Sequence, residues 1–112
     1  MYKNGIGVPE NWSLFFSYSS KACDWGDGFA CFNVAVEYAV GGGVKRDYLK
    51  AATLYSRSCY AGSATGCQNL GSLYRNGLGV ARDDSHAREL FSKACKLGAA
   101  GGCTELKDMG RR

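Results

Sequence analysis

The sequence predicts an all-α protein, an α/α solenoid of three disulfide-bridged helical hairpins, each 36 residues long. Three observations carry that prediction. Cys23, Cys59 and Cys95 step by 36 residues, and so do Cys31, Cys67 and Cys103. Other positions keep the same beat: Tyr2, Tyr38 and Tyr74; Gly7, Gly43 and Gly79; Val8, Val44 and Val80; Gly26, Gly62 and Gly98. Self-similarity at a fixed period of 20–50 residues is the mark of a repeat architecture. Within each period the apolar residues recur at helical rather than strand spacing.

In chain order, "MYKNGIGV" corresponds to the tail of a short helix, here termed an A helix, and the turn after it. A longer B helix follows over 10–24, opened by Asn11 and closed by Gly26. Phe15 stands in it where Ala51 and Ala87 stand in later units, so its packing must differ. The next A helix, 29–40, places Cys31, Val34 and Tyr38 on one face. The second B helix, 47–60, has Asp47 as its N-cap and sets Ala51, Leu54, Tyr55, Ser58 and Cys59 at i, i+3, i+4, i+7 and i+8. The A helix at 65–76 repeats the face with Cys67, Leu70 and Tyr74. Asp83 opens the third B helix, 83–96, in which Ala87, Leu90, Phe91, Ala94 and Cys95 form the clearest stripe. Asp and Asn are favoured N-caps, and Gly62 and Gly98 suit the left-handed position past a helix end. The last A helix, 101–109, carries Cys103 and Leu106. Lys107 replaces the small Ala35 and Gly71, and Gly110 replaces the recurring Tyr, as the polar outer face of a capping helix requires. The chain therefore reads as one domain over 1–112, with units near 2–37, 38–73 and 74–112. Its C-terminus reads as a true end and its N-terminus as cut within a repeat.

The turns "GIGV", "GGGV" and "GLGV" precede helices, but a phosphate-binding loop needs a Gly-Lys-Ser/Thr ending and a preceding strand. Neither is present, and these glycines are read as tight turns that need positive φ. The net charge is +4, from fourteen basic and ten acidic residues that interleave along the chain. Only Arg111-Arg112 lacks a nearby counter-charge. A nucleic-acid binder gathers its cations on one face, so no nucleic-acid partner is expected. No apolar run approaches the ~20 residues of a membrane span, so no membrane insertion is expected. "LFF" at 14–16 is too short for a signal-peptide core.

The eight-residue cysteine spacing has a mechanical meaning. The first cysteine of each pair falls in the last turn of a B helix and the second in the first turn of the next A helix. A short loop folds these helices into a hairpin and brings the cysteines within disulfide reach. The predicted bridges are Cys23–Cys31, Cys59–Cys67 and Cys95–Cys103; buried free thiols are the alternative. Zinc ligands come as C-x(2–4)-C clusters and redox pairs as C-x-x-C. Neither spacing occurs, and the single His86 cannot complete several sites, so no metal and no cofactor is expected. Three disulfides imply an oxidising compartment, periplasmic or secreted.

The motif "L-G-x-x-Y-x-x-G-x-G-V" (Leu70, Gly71, Tyr74, Gly77, Gly79, Val80), followed by "D-x-x-x-A-x-x-L-F-x-x-A" (Asp83 to Ala94), resembles the Sel-one-like repeat family. The resemblance covers nearly the whole chain and implies a superhelix shaped like tetratricopeptide repeats. With C-x(7)-C in every unit, the chain is also similar to the cysteine-rich bacterial subfamily often abbreviated Hcp. That likeness implies hairpin-bridging disulfides and an association with secretion.

For function, the expectation is a scaffold that binds a protein or peptide, or a cell-wall fragment, on the concave side lined by the A helices. The residues expected to face that groove are Asn33, Val36, Glu37, Asn69, Ser72, Leu73, Glu105 and Asp108. Asn33 and Asn69 are in register, with Glu105 at the third equivalent place; paired amides can grip an extended backbone. The plain alternative is that these are solvated helix positions, as in a purely structural spacer. Some members of the cysteine-rich subfamily are credited with binding or hydrolysing β-lactams, so the resemblance implies a weak penicillin-binding or β-lactamase activity as a second reading. The residues do not support it: S-x-x-K, S-D-N and K-T-G are all absent. Ser17 and Lys21 read as an ordinary surface pair on one helical face. His86 takes the place of Lys50 and is expected to be exposed and inert. No catalytic residue is assigned.

Overall fold

A computed structural model of the chain describes residues 10–110, with side chains described from Leu14 onward. Tyr2, Gly7, Val8, the "GIGV" turn, the side chain of Asn11 and Arg111-Arg112 lie outside the described residues. Six helices and no strands occur among the described residues: α1 (Glu10–Asp24), α2 (Gly28–Val40), α3 (Tyr48–Tyr60), α4 (Ala64–Asn76), α5 (Asp84–Lys96) and α6 (Ala100–Gly110). The B helices are α1, α3 and α5; the A helices are α2, α4 and α6. Each helix packs on its neighbours in the chain, most extensively α3 on α2 and α5 on α4.

Local chemistry sets the helix ends. The carboxylates of Asp47 and Asp83 accept hydrogen bonds from the amides of Lys50 and His86, so both residues cap α3 and α5 as expected. Asn11 lies inside α1, one residue past its start. Two caps went unassigned in the sequence: Asp27 accepts from Phe29 and Ala30, and Ser63 accepts from Gly66. Gly26, Gly62 and Gly98 adopt φ of +97°, +98° and +108° in the turns after the B helices. Gly41 and Gly77, at +75° and +68°, end α2 and α4. Both belong to the glycine-rich turns, in which Gly79 also has positive φ, at +76°, whereas Gly43 does not.

The core runs along the stack between the helix layers. Ala35, Ala51, Ala52, Tyr55, Leu70, Leu73, Leu90 and Ala94 form its centre. Small residues allow the helices to approach closely. A Cβ on Gly71 would lie 2.8 Å from the Phe91 ring, so the missing side chain is the slot that this fully buried ring fills. One unit earlier Ala35 and Tyr55 occupy the same two positions, both buried. At the hairpin crossings, a Cβ on Gly66 would lie 1.9 Å from the Ser58 hydroxyl, and one on Gly102 would lie 2.9 Å from the Ala94 methyl. That small-on-small contact stands beside each of the last two disulfides and lets the two backbones come together.

Candidate binding surface and family

All three hairpins are closed by the disulfides that the spacing predicted: Cys23–Cys31, Cys59–Cys67 and Cys95–Cys103, with Cα–Cα distances of 4.5, 4.5 and 4.8 Å. No cysteine is free. The first two bridges are buried, whereas Cys95 and Cys103 are both half-buried. The scaffold is therefore covalently pinned at the same place in each unit.

The A helices do not present all of the residues expected of them. Leu73 is 6% exposed and belongs to the core. The correction has a simple cause: α4 is covered on a wide arc, with Leu70 beside Ala52 and Ser56 of α3, Gly71 against Phe91 of α5 and Leu73 in the same core, so the groove side is narrower than the spacing suggested. Asn69 is half-buried and hydrogen-bonds the Tyr55 hydroxyl; burial raises the Tyr55 pKa, and the Asn69 contact offsets part of that rise. The Glu105 carboxylate is engaged by Arg75, which also reaches Asp108 at 2.8 Å. Asn33 and Ser72 remain half-buried. Ser72 lines a polar cleft of about 370 Å³ with Arg75, Asn76, Arg82 and Glu105. The amides and carboxylate in register are thus drawn partly into the fold's own contacts, Asn69 by Tyr55 and Glu105 by Arg75.

What the sequence reading missed is the chemistry of α2. Its outer side carries Phe29, Phe32, Val36 and Val40; Phe29 is 72% and Val40 50% exposed. The equivalent positions are Thr65, Gln68, Ser72 and Asn76 on α4, and Gly101, Thr104 and Asp108 on α6. The signal lay in the comparison of registers: one A helix is apolar where the next two are polar or small.

Glu37 stands on the same helix. Its Oε1 atom is buried and makes no hydrogen bond with a described residue. In register it takes the place of Leu73, a core position, and it sits in the last turn of α2, where the helix dipole disfavours a negative charge. Glu37→Leu is therefore expected to raise the unfolding free energy by about 1–2 kcal/mol, read from urea denaturation. An unchanged midpoint would show that the carboxylate is better solvated than its burial indicates.

The residues weighed for catalysis are not assembled into a site. Ser17 and Lys21 are exposed on α1. No group of three His, Cys, Asp or Glu among the described residues could hold a metal ion. His86 is half-buried rather than exposed, with its ring stacked on Tyr74 at 4.1 Å and an interplanar angle of 27°. One unit earlier the Lys50 ammonium stands 5.2 Å from the centre of the Tyr38 ring. Both side chains cover the recurring tyrosine, so His86 has a packing role.

Comparison with known proteins agrees with this geometry. A Sel1 repeat family model matches residues 1–26, 28–63 and 64–98. Among solved structures, the chain is similar to Helicobacter pylori cysteine rich protein B, with a TM-score of 0.81 and 37% identity over 88% of this chain and 73% of that one. It is also similar to c5321, a protective antigen present in uropathogenic Escherichia coli strains that displays an SLR fold. That match has a TM-score of 0.84 and 35% identity, covering 95% of this chain and 23% of that one. A Sel1 repeat protein from Oxalobacter formigenes shares the fold, with a TM-score of 0.82 and 22% identity over 91% of this chain and 42% of that one. The chain thus spans less than half of the latter two structures. No curated protein matches it. The repeated hairpins, the cysteine pair in every unit and the match over most of its length together place this chain in the Sel1 repeat family.

Proposed function

We infer that the chain is a non-catalytic scaffold of an oxidising compartment, periplasmic or secreted, and that it binds a protein or peptide on its A-helix side. The observation that carries this reading is the apolar stripe on α2, half-buried against α3 at Phe32 and exposed at Phe29 and Val40. Phe32 and Val36 root the stripe in the core, while Phe29 and Val40 stand out from it. Asn33 and Glu37 flank it with hydrogen-bonding groups, and the polar cleft beside Ser72 and Arg75 continues the surface onto α4. Apolar anchors bordered by polar groups are the usual anatomy of a recognition surface. The disulfides support the compartment, since such bridges persist where thiols are oxidised. They also keep the surface preorganised, which limits the ordering cost of binding. Stacked helical repeats commonly present extended binding faces. A hydrolase is not favoured, because no nucleophile, base or metal ligand set converges among the described residues. Nitrocefin turnover that is lost with a single side chain would reverse that preference.

Peptides selected from a displayed library on the oxidised chain provide the test of the binding surface. The double variant Phe32→Ser/Val36→Ser is expected to weaken their affinity by about tenfold or more. Asn33→Ala and Glu37→Leu should each have smaller effects, with the helical circular-dichroism spectrum retained throughout. Selected peptides that bind all three variants as well as the native chain would show that the A-helix side is not the binding surface.

A further inference from the structure

The turns that join each B helix to the following A helix recur in register at 25–27, 61–63 and 97–99, so they share one edge of the stack. The disulfides staple this same edge. Its tips carry Trp25, 86% exposed, and Tyr60, 82% exposed, with Leu97 at 45%. Phe29 adjoins the first tip. The turn glycines stand clear of the fold: nothing lies within 4 Å of where a Cβ would sit on Gly26, Gly62 or Gly98. None of these tip side chains contributes to the core, and exposed clustered aromatics mark an interaction site.

Cations accompany the tips in every unit. The last turn of each B helix carries Lys21 in α1, Arg57 in α3, and Lys93 with Lys96 in α5. Lys93 stands 5.3 Å from the Tyr60 ring centre, and Arg57 lies 3.4 Å from Asp24. The carboxylates near the first tip, Asp24 and Asp27, are already engaged, by Arg57 and by the amides of Phe29 and Ala30. Between the first two tips lies a recess of about 440 Å³ lined by Cys23, Asp24, Gly26, Arg57, Tyr60 and Ala61.

We propose that this stapled edge docks on an anionic phospholipid surface. Trp25, Tyr60 and Leu97 enter at headgroup depth, and Lys21, Arg57, Lys93 and Lys96 meet the phosphates. Trp and Tyr favour the membrane–water interface because one end of each ring system is apolar and the other hydrogen-bonds. Lys and Arg lay their aliphatic stems along that boundary and keep their charge in the headgroups, where anionic lipid attracts them. A protein partner needs a complementary shape, whereas a row of separate projecting tips matches a fluid planar surface directly. The attachment is peripheral, since no helix among the described residues is long and apolar enough to cross a bilayer.

The test is flotation of the oxidised chain with vesicles of phosphatidylglycerol and phosphatidylcholine, against phosphatidylcholine alone. Trp25 serves as reporter in a Trp12→Phe background. The chain should float with the anionic vesicles only, be released by about 0.5 M salt, and show blue-shifted Trp25 emission that brominated lipid chains quench. Trp25→Ala/Tyr60→Ala should reduce vesicle binding about tenfold, and Lys93→Glu/Lys96→Glu should abolish it. Phe32→Ser/Val36→Ser should leave it intact, which separates this surface from the one on the A helices. Failure to float with anionic vesicles, or flotation that survives the edge substitutions, overturns the proposal. So does a Trp25→Ala/Tyr60→Ala variant that floats normally but loses a library-selected peptide, because the edge then docks protein.

Discussion

Replacing Cys59 and Cys67 together by alanine is expected to lower the unfolding free energy by about 2–5 kcal/mol, the range for loss of a native bridge in a small domain. The loop it closes is short, so chain entropy accounts for about 2.5 kcal/mol. The remainder reflects its position, since both cysteines are buried in the central core beside Tyr55 and Leu70. Removing Cys95 and Cys103 should cost nearer the entropic part alone, because both are half-buried at the end of the stack. The same difference governs reduction. A dithiol attacks through its thiolate, forms a mixed disulfide with one cysteine and expels the other as a thiolate; its second thiol then closes its own ring and releases the protein dithiol. Access decides which bridge meets it first. Graded dithiothreitol followed by alkylation and peptide mapping should find Cys95 and Cys103 labelled before the other four cysteines. Simultaneous opening of all three bridges would show that the exposure difference does not set the order.

Gly79→Ala is expected to cost about 3 kcal/mol, combining left-handed strain of about 1–2 kcal/mol with overpacking of at least about 1 kcal/mol. Gly79 has a φ of +76°, and a Cβ there would sit 2.4 Å from the carbonyl carbon and oxygen of Tyr48 and 2.7 Å from the Leu49 amide nitrogen. Those atoms belong to the backbone opening α3, so no side chain can swing aside to make room. Gly98→Ala provides the control. Its φ is +108°, yet nothing lies within 4 Å of the added methyl, so it should show the backbone cost alone, about 1–2 kcal/mol. Urea melts that give equal losses for the two variants would show that the approach of the 77–83 turn to α3 relaxes freely.

Much of this fold was legible because its strongest signals are short-range and repeated three times. The cysteine spacing needs only two adjacent helices and a turn, and the Asp47 and Asp83 caps bond amides three residues on. Contacts between units were harder to read. Arg57–Asp24, Lys93–Tyr60 and Arg75–Asp108 each span 33 residues, one helical turn short of the repeat period. A search at that offset would have found Arg75 poised over α6, and with it the reason Glu105 is not a free groove residue. Leu73 was placed on the groove because one stripe was assigned to each A helix, whereas α4 meets α3 on one flank and α5 on the other. Apart from Val36, the apolar face of α2 escaped notice because its residues are ordinary one at a time. Only the contrast with Thr65, Gln68 and Ser72 makes them conspicuous.

Six cysteines can be joined in fifteen ways, and here each is joined to its immediate neighbour in the sequence. A polypeptide emerging amino-end first through an export channel shows an oxidase one native couple at a time, before the next thiol arrives. If the chain is exported, as proposed above, vectorial delivery selects the right connectivity kinetically, and its maturation should proceed in cells that lack a disulfide-reshuffling enzyme.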